Sequence, residues 1–91
     1  MSATTVPNFD DMDVTEIRAW WQCWHGRSRQ LGRAWFAEER NRTWIAGMLL
    51  DYALNKAIAM EWRLKGNVKL ALSFEATCDR LYQRLPECAR W

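Results

Sequence analysis

With 91 residues the chain has room for one domain and not two. A formal charge of +2 is too small to imply a polyanionic ligand. Cys23, Cys78 and Cys88 are odd in number, widely spaced and without a CxxC pair, which excludes a disulfide framework and points to a reducing cytosol.

Residues 1–12 read as an irregular arm ahead of a single helical domain over residues 13–91. The opening Met-Ser-Ala-Thr-Thr lacks basic residues and an apolar run, so no signal peptide is expected. Asp13-Val14-Thr15-Glu16 is a capping box, in which each acidic side chain reaches a backbone N–H at the other end of the first turn. Met12 and Ile17 stand where a hydrophobic staple would bracket it. Val14, Ile17, Trp21 and Trp24 follow at steps of three, four and three, which predicts a helix over residues 14–25 that Gly26 stops.

From Ser28 to Leu64 there is no proline, and Gly32 and Gly47 are the only glycines. One helix of that length would extend over about 50 Å at about 1.5 Å per residue. A break near Asn41-Arg42-Thr43, with Asn41 or Thr43 as the cap, is the alternative. Both readings stay open. Residues 44–62 are apolar on almost every side, with Ile45, Leu49 and Tyr52 on one side and Leu50, Leu54 and Ile58 on another. A helix of that kind is surrounded by neighbours, and two others in so short a chain cover only part of it. Self-association as a homodimer is therefore expected through Ile45, Leu49, Leu50, Tyr52, Leu54 and Ile58. Ala46, Gly47, Ala53, Ala57 and Ala59 are small enough to permit close helix contacts. Asp51, Asn55 and Lys56 within the most apolar stretch exclude a bilayer span.

Lys65-Gly66-Asn67 is the clearest turn, with Gly66 suited to end one helix and Asn67 to cap the next. Ala71, Phe74, Cys78, Leu81 and Leu85 then repeat at three, four, three and four, predicting a helix over residues 68–85 closed by Pro86. The short connection makes 44–64 and 68–85 an antiparallel hairpin. No strand pattern competes. The predicted fold is all-α, a small bundle of three or four helices around that hairpin.

Gly66-Asn67-Val68, followed by Ala71, Leu72, Phe74 and a small residue at Cys78, resembles the second half of a tetratricopeptide repeat. Trp62 and Ala59 stand where its first helix places an aromatic and a small residue. The resemblance covers about residues 51–86 and implies a helical hairpin with a repeat-like binding groove. Asn55 replaces the usual early aromatic, Pro86 comes late, and only one unit is present where a solenoid needs about three. The segment from Pro7 to Met12, continuing through Glu16-Ile17-Arg18-Ala19-Trp20, is similar to the opening of certain small uncharacterised cyanobacterial proteins.

Chemistry-bearing patterns are few. Cys23 and His25 lack the further ligands of a structural zinc site, and residues two apart on a helix do not face each other as nucleophile and base. The adjacent pairs Asp10/Asp11 and Glu38/Glu39 do not confront each other across a cleft as glycosidase acids must. Glu38 stands four residues before Arg42, the favourable order for an intrahelical ion pair. No phosphate-binding loop, HExxH or GxSxG motif occurs. No catalytic, metal or cofactor site is expected.

The basic residues comprise ten Arg and three Lys, and Arg18, Arg27, Arg29, Arg33, Arg40 and Arg42 crowd the first half behind an acidic segment. On a helix through residues 28–44, Arg29, Arg33 and Arg40 share a face with Phe36, while Leu31 and Trp35 point to the core. Such a face is either simply solvated and partly neutralised by Asp10, Asp11 and Asp13, or suits an acidic protein surface or, alternatively, the phosphates and bases of a nucleic acid. The weak net charge favours protein. Seven Trp exceed what one small core requires. Trp21 and Trp24 fall on the apolar stripe, whereas Trp20 and Trp91 are candidate interface anchors, with a packed-down tail the equal alternative for Trp91. The expected role is a small non-enzymatic adaptor, regulator or assembly factor that binds another protein and self-associates. A nucleic-acid-binding regulator is the alternative.

Overall fold

A computed structural model describes residues 6–91; residues 1–5, the outer part of the expected arm, lie outside the described residues. Every regular element within 6–91 is helical, as the sequence patterns predict: α1 (Val14–Trp24), α2 (Ser28–Trp35), α3 (Arg42–Leu64) and α4 (Val68–Arg84). Single 3-10 turns at Phe9–Asp11 and Glu87–Ala89 flank them.

The start of α1 is the predicted capping box. Glu16 N–H donates to Asp13 Oδ1 at 2.8 Å, and Asp13 N–H donates to Glu16 Oε1 at 2.9 Å. A cap of this kind contributes about 1 kcal/mol. Met12 packs on the core cluster that holds Ile17. Gly26 ends the helical run at φ 75°, a left-handed value that side chains disfavour.

The span 28–64 is two helices. The chain departs from α2 at Phe36, whose backbone takes φ −131° and ψ 39°, and α3 starts six residues later at Arg42. Glycine makes the return possible. A Cβ on Gly32 would stand 2.7 Å from the Arg42 carbonyl oxygen, so α2 and the first turn of α3 meet backbone to backbone. The break also cancels the expected Glu38–Arg42 pair, because Glu38 lies outside any helix. Arg42 Nη1 donates to the Ala37 carbonyl at 3.4 Å instead.

Helix α3 is the axis of the molecule. Its 23 residues span about 35 Å at 1.5 Å per residue, most of the 41 Å long dimension. Helices α1, α2 and α4 each pack against it. The main core gathers Phe9, Ile17, Phe36, Ile45, Leu49 and Tyr52, with Cys78 from α4 and Leu85 just beyond it. A second cluster joins Leu31 of α2 to Ala46 and Leu50, and Trp20, Trp21, Trp24 and Trp35 pack on it. Much of the tryptophan surplus is spent here, between α1, α2 and α3.

The covering of α3 corrects the expectation that its neighbours cannot wrap it. Ile45, Leu49, Leu50 and Tyr52 are buried within one copy, and only Leu54 and Ile58 of the six residues stay half-exposed. Counting two neighbouring helices missed α2 as a separate element and missed both chain ends.

The α3–α4 turn closes by a Schellman arrangement. Gly66 (φ 82°) donates its N–H to the Arg63 carbonyl at 3.0 Å, and Asn67 N–H donates to the Trp62 carbonyl at 2.9 Å. Asn67 Oδ1 then accepts from Leu70 N–H at 3.1 Å, capping α4. At the other end of the fold the Phe9–Asp11 turn meets the C-terminal tail. Phe9 is fully buried with the Trp91 ring edge-on at 5.0 Å, and Trp91 Nε1 donates to Asp10 Oδ2 at 3.3 Å. The packed domain therefore begins before Asp13, and residues 9–11 belong to it.

Candidate functional site

The Arg/aromatic face expected on residues 28–44 is not one face. Arg29 and Arg33 are exposed on α2, but Arg40 lies in the connection to α3 and Phe36 is only 4% exposed. Phe36 caps the C-terminus of α2, and the change of backbone direction there drops its ring into the main core. Helical projection fails because the helix stops at Trp35.

The two candidate tryptophan anchors also turn inward. Trp20 sits edge-on to Phe9 at 5.1 Å and near Trp35 at 5.8 Å, with its Nε1 buried and unpartnered among the described residues. Trp91 is folded down, edge-on to Tyr52 at 4.6 Å and to Tyr82 at 4.8 Å. Tyr82 Oη donates to the Trp91 carbonyl at 2.8 Å, which fixes the tail. These rings join elements of one copy, so neither is a free anchor.

That folded tail creates a site the sequence patterns did not announce. A cavity of about 440 Å³ opens between α3, α4, the N-terminal turn and the tail. Tyr52 and Cys78 are its most buried lining residues, Tyr82 and Trp91 add rings, and Asp10, Lys56, Glu75 and Asp79 bring charge. Lys56 Nζ lies 3.4 Å from Asp10 Oδ1. Glu75 accepts from Arg63 Nη2 at 2.9 Å, and that guanidinium lowers its carboxyl pKa. Asp79 has no cation partner among the described residues.

Burial dominates the chemistry of the cavity floor. It pushes the Cys78 thiol up to about 11, against the smaller downward pull of Lys56. The thiol lies 3.8 Å from the Tyr52 carbonyl, to which it donates. Burial also raises the Tyr52 phenol, and the Cys78, Asp10 and Asp79 charges add to it. The phenol is therefore surrounded by the cavity's own acidic groups. Both floor groups are held neutral at ordinary pH. The signal available in the sequence was the i, i+4 run of Tyr52 and Lys56 on α3 facing Glu75, Asp79 and Tyr82 on α4. Its completion by Asp10 and Trp91 required knowledge that the chain ends meet.

A second feature lies on the side of α3 that the other elements cover only in part. Gly47, Asp51, Leu54, Ile58, Trp62 and Lys65 recur at intervals of four, three, four, four and three. At 3.6 residues per turn they share an arc of about 80°. Gly47, Leu54, Ile58 and Trp62 are half-buried and belong to neither core cluster, while Asp51 and Lys65 are exposed. Ion pairs hold the neighbouring helices on the flanks. Arg18 Nη2 of α1 lies 2.7 Å from Glu61 Oε1, and Arg63 bridges to Glu75 of α4. Lys65 Nζ lies 5.1 Å from the centre of the Trp62 ring. At the hairpin end, Leu64 is 77% exposed and Val68 50%.

Among the described residues no three His, Cys, Asp or Glu side chains converge as a metal cage, and no helix is long and apolar enough to cross a membrane. No family model, curated protein or solved structure matches the chain.

Proposed function

We propose that the chain is a small non-enzymatic protein-interaction and assembly factor that pairs with a second copy through the open seam of α3. The observation that carries this reading is the seam itself, an apolar row at helical spacing that belongs to neither core cluster and that the chain's own elements cover only in part. Gly47 adds to it. A mid-helix glycine costs about 1 kcal/mol relative to alanine, and beyond its own stretch of helix no atom of the described residues lies within 4 Å of where its Cβ would be. Packing within one copy gives no return for that cost, whereas close approach by another helix does.

Charge order favours an antiparallel second copy over an unrelated apolar partner. A two-fold axis at Ile58 sets Leu54 opposite Trp62 of the second copy and Asp51 opposite its Lys65. Apolar residues then meet apolar residues, and the flanking charges meet with opposite sign. The likeness of residues 51–86 to a tetratricopeptide unit supports a hairpin that works through its open side. Three free cysteines fit a reducing cytoplasm.

Sedimentation analysis at micromolar to high-micromolar concentration tests the reading. Wild-type chain should form a dimer that Ile58→Glu dissociates. Asp51→Lys and Lys65→Asp should each weaken it, and the double charge swap should restore it. A strict monomer at high micromolar concentration would remove the proposal.

A further inference from the structure

The cavity at the joined chain ends lies away from the α3 seam, and a separate set of observations bears on it. Its volume falls in the range of small-ligand sites, roughly 300–1,000 Å³, at about 440 Å³. The Tyr52 side chain lines it and is more than nine-tenths buried, yet its hydroxyl has no hydrogen-bond partner among the described residues. That hydroxyl is not sealed from solvent, so it faces the cavity and is free to bond to what enters it.

The charge balance names the complementary chemistry. Lys56 is offset by Asp10, and Glu75 by Arg63, which leaves Asp79 as the uncompensated carboxylate on the wall. Aromatic rings line the rest, a surrounding that favours organic cations over strongly hydrated metal ions. The Trp91 ring completes the wall and is pinned there through its carbonyl and its indole N–H, so the cavity is built before any ligand arrives.

We propose that this cavity binds an organic monocation, an alkylammonium or guanidinium group. Asp79 supplies the charge-assisted hydrogen bond, the Tyr52 hydroxyl accepts a second N–H, and the Tyr82 and Trp91 rings enclose the alkyl part. Burial is the larger cause of the raised Tyr52 phenol, and the Asp10 and Asp79 charges that add to it favour a cation in the same space. A free polyamine and a basic side chain of another protein offer the same chemistry.

Titration of the full chain with n-butylguanidinium, followed by amide chemical shifts, tests the proposal. Saturable changes are expected at Tyr52, Cys78, Asp79, Tyr82 and Trp91. Asp79→Asn, at an exposed position that leaves the fold intact by circular dichroism, should weaken binding by about tenfold or more. Tyr52→Phe should weaken it less, and isoamyl alcohol, a neutral molecule of similar bulk, should not bind. Spermidine and a capped arginine peptide then separate the two sources, and saturable binding of either at these residues supports the proposal. Absence of saturable shifts with all three cations, or undiminished affinity in Asp79→Asn, would overturn it. Because the seam and the cavity are separate, Ile58→Glu should leave the titration unchanged, and loss of the dimer alone does not count against the cavity.

Discussion

The covered and open sides of α3 carry similar residues under different physical conditions. On the covered side Leu49 is fully buried among Phe9, Ile17 and Phe36, from segments that begin and end far apart in the chain. On the open side Ile58 is half-buried and belongs to neither cluster. Two helix glycines repeat the contrast. Gly32 is required by a carbonyl 2.7 Å from its missing Cβ, whereas Gly47 faces open space. Apolar character alone therefore does not separate core from interface in this molecule. What separates them is whether another segment of the same chain arrives to cover the residue.

Substitutions on the two sides should diverge most at the large apolar residues. Leu49→Ala leaves a cavity at a site with no room to relax, and should cost about 2–5 kcal/mol in urea unfolding. Ile58→Ala, measured at concentrations where the chain is monomeric, should cost less than about 1 kcal/mol. Equal costs would mean that the open side is packed in solution within one copy. The glycines give a smaller contrast of opposite sign. Gly32→Ala should destabilise by about 1–3 kcal/mol because backbone on both sides must separate. Gly47→Ala should stabilise the monomer by up to about 1 kcal/mol through helix propensity, while weakening the dimer measured by sedimentation.

The smallest effect concerns the ion pairs that flank the seam. Arg18 and Arg63 hold the Glu61 and Glu75 carboxyls below their ordinary value of 4.5. A depressed folded-state value means that this stability is fully present above pH 4.5 and is lost as pH falls through the folded values. Both carboxylates are about a third exposed, so solvent screening keeps the contribution small. Thermal melts from pH 6 to pH 3 should show wild type losing more stability than Glu61→Gln or Glu75→Gln. Parallel curves would place the acid sensitivity elsewhere.

Elements governed by neighbours in sequence were legible before any fold was known. The capping box at Asp13 and Glu16, the stops at Gly26 and Gly66, the cap at Asn67 and the stripe from Ala71 to Leu85 depend on contacts within a turn or two. A single strand of text holds those contacts in full. Phe36 shows where such reading ends. Nothing in residues 28–44 forbids a continuous helix, and the break follows from a ring placed among Ile17, Ile45 and Leu49 and from the fit of Gly32 against Arg42.

The same distinction applies to the functional surfaces. Spacing alone identified α3 as a helix apolar around most of its circumference, because 3.6-residue periodicity is local. Which arc of it stays open depended on where α1, α2, α4 and both chain ends came to rest. The cavity at Tyr52 depended on long-range packing more completely still, since its wall joins Asp10 to Trp91 from opposite ends of the chain. Local hydrogen bonding and periodicity are written in neighbouring residues. Coverage and enclosure arise from excluded volume among distant ones, and they exist only once the chain has folded.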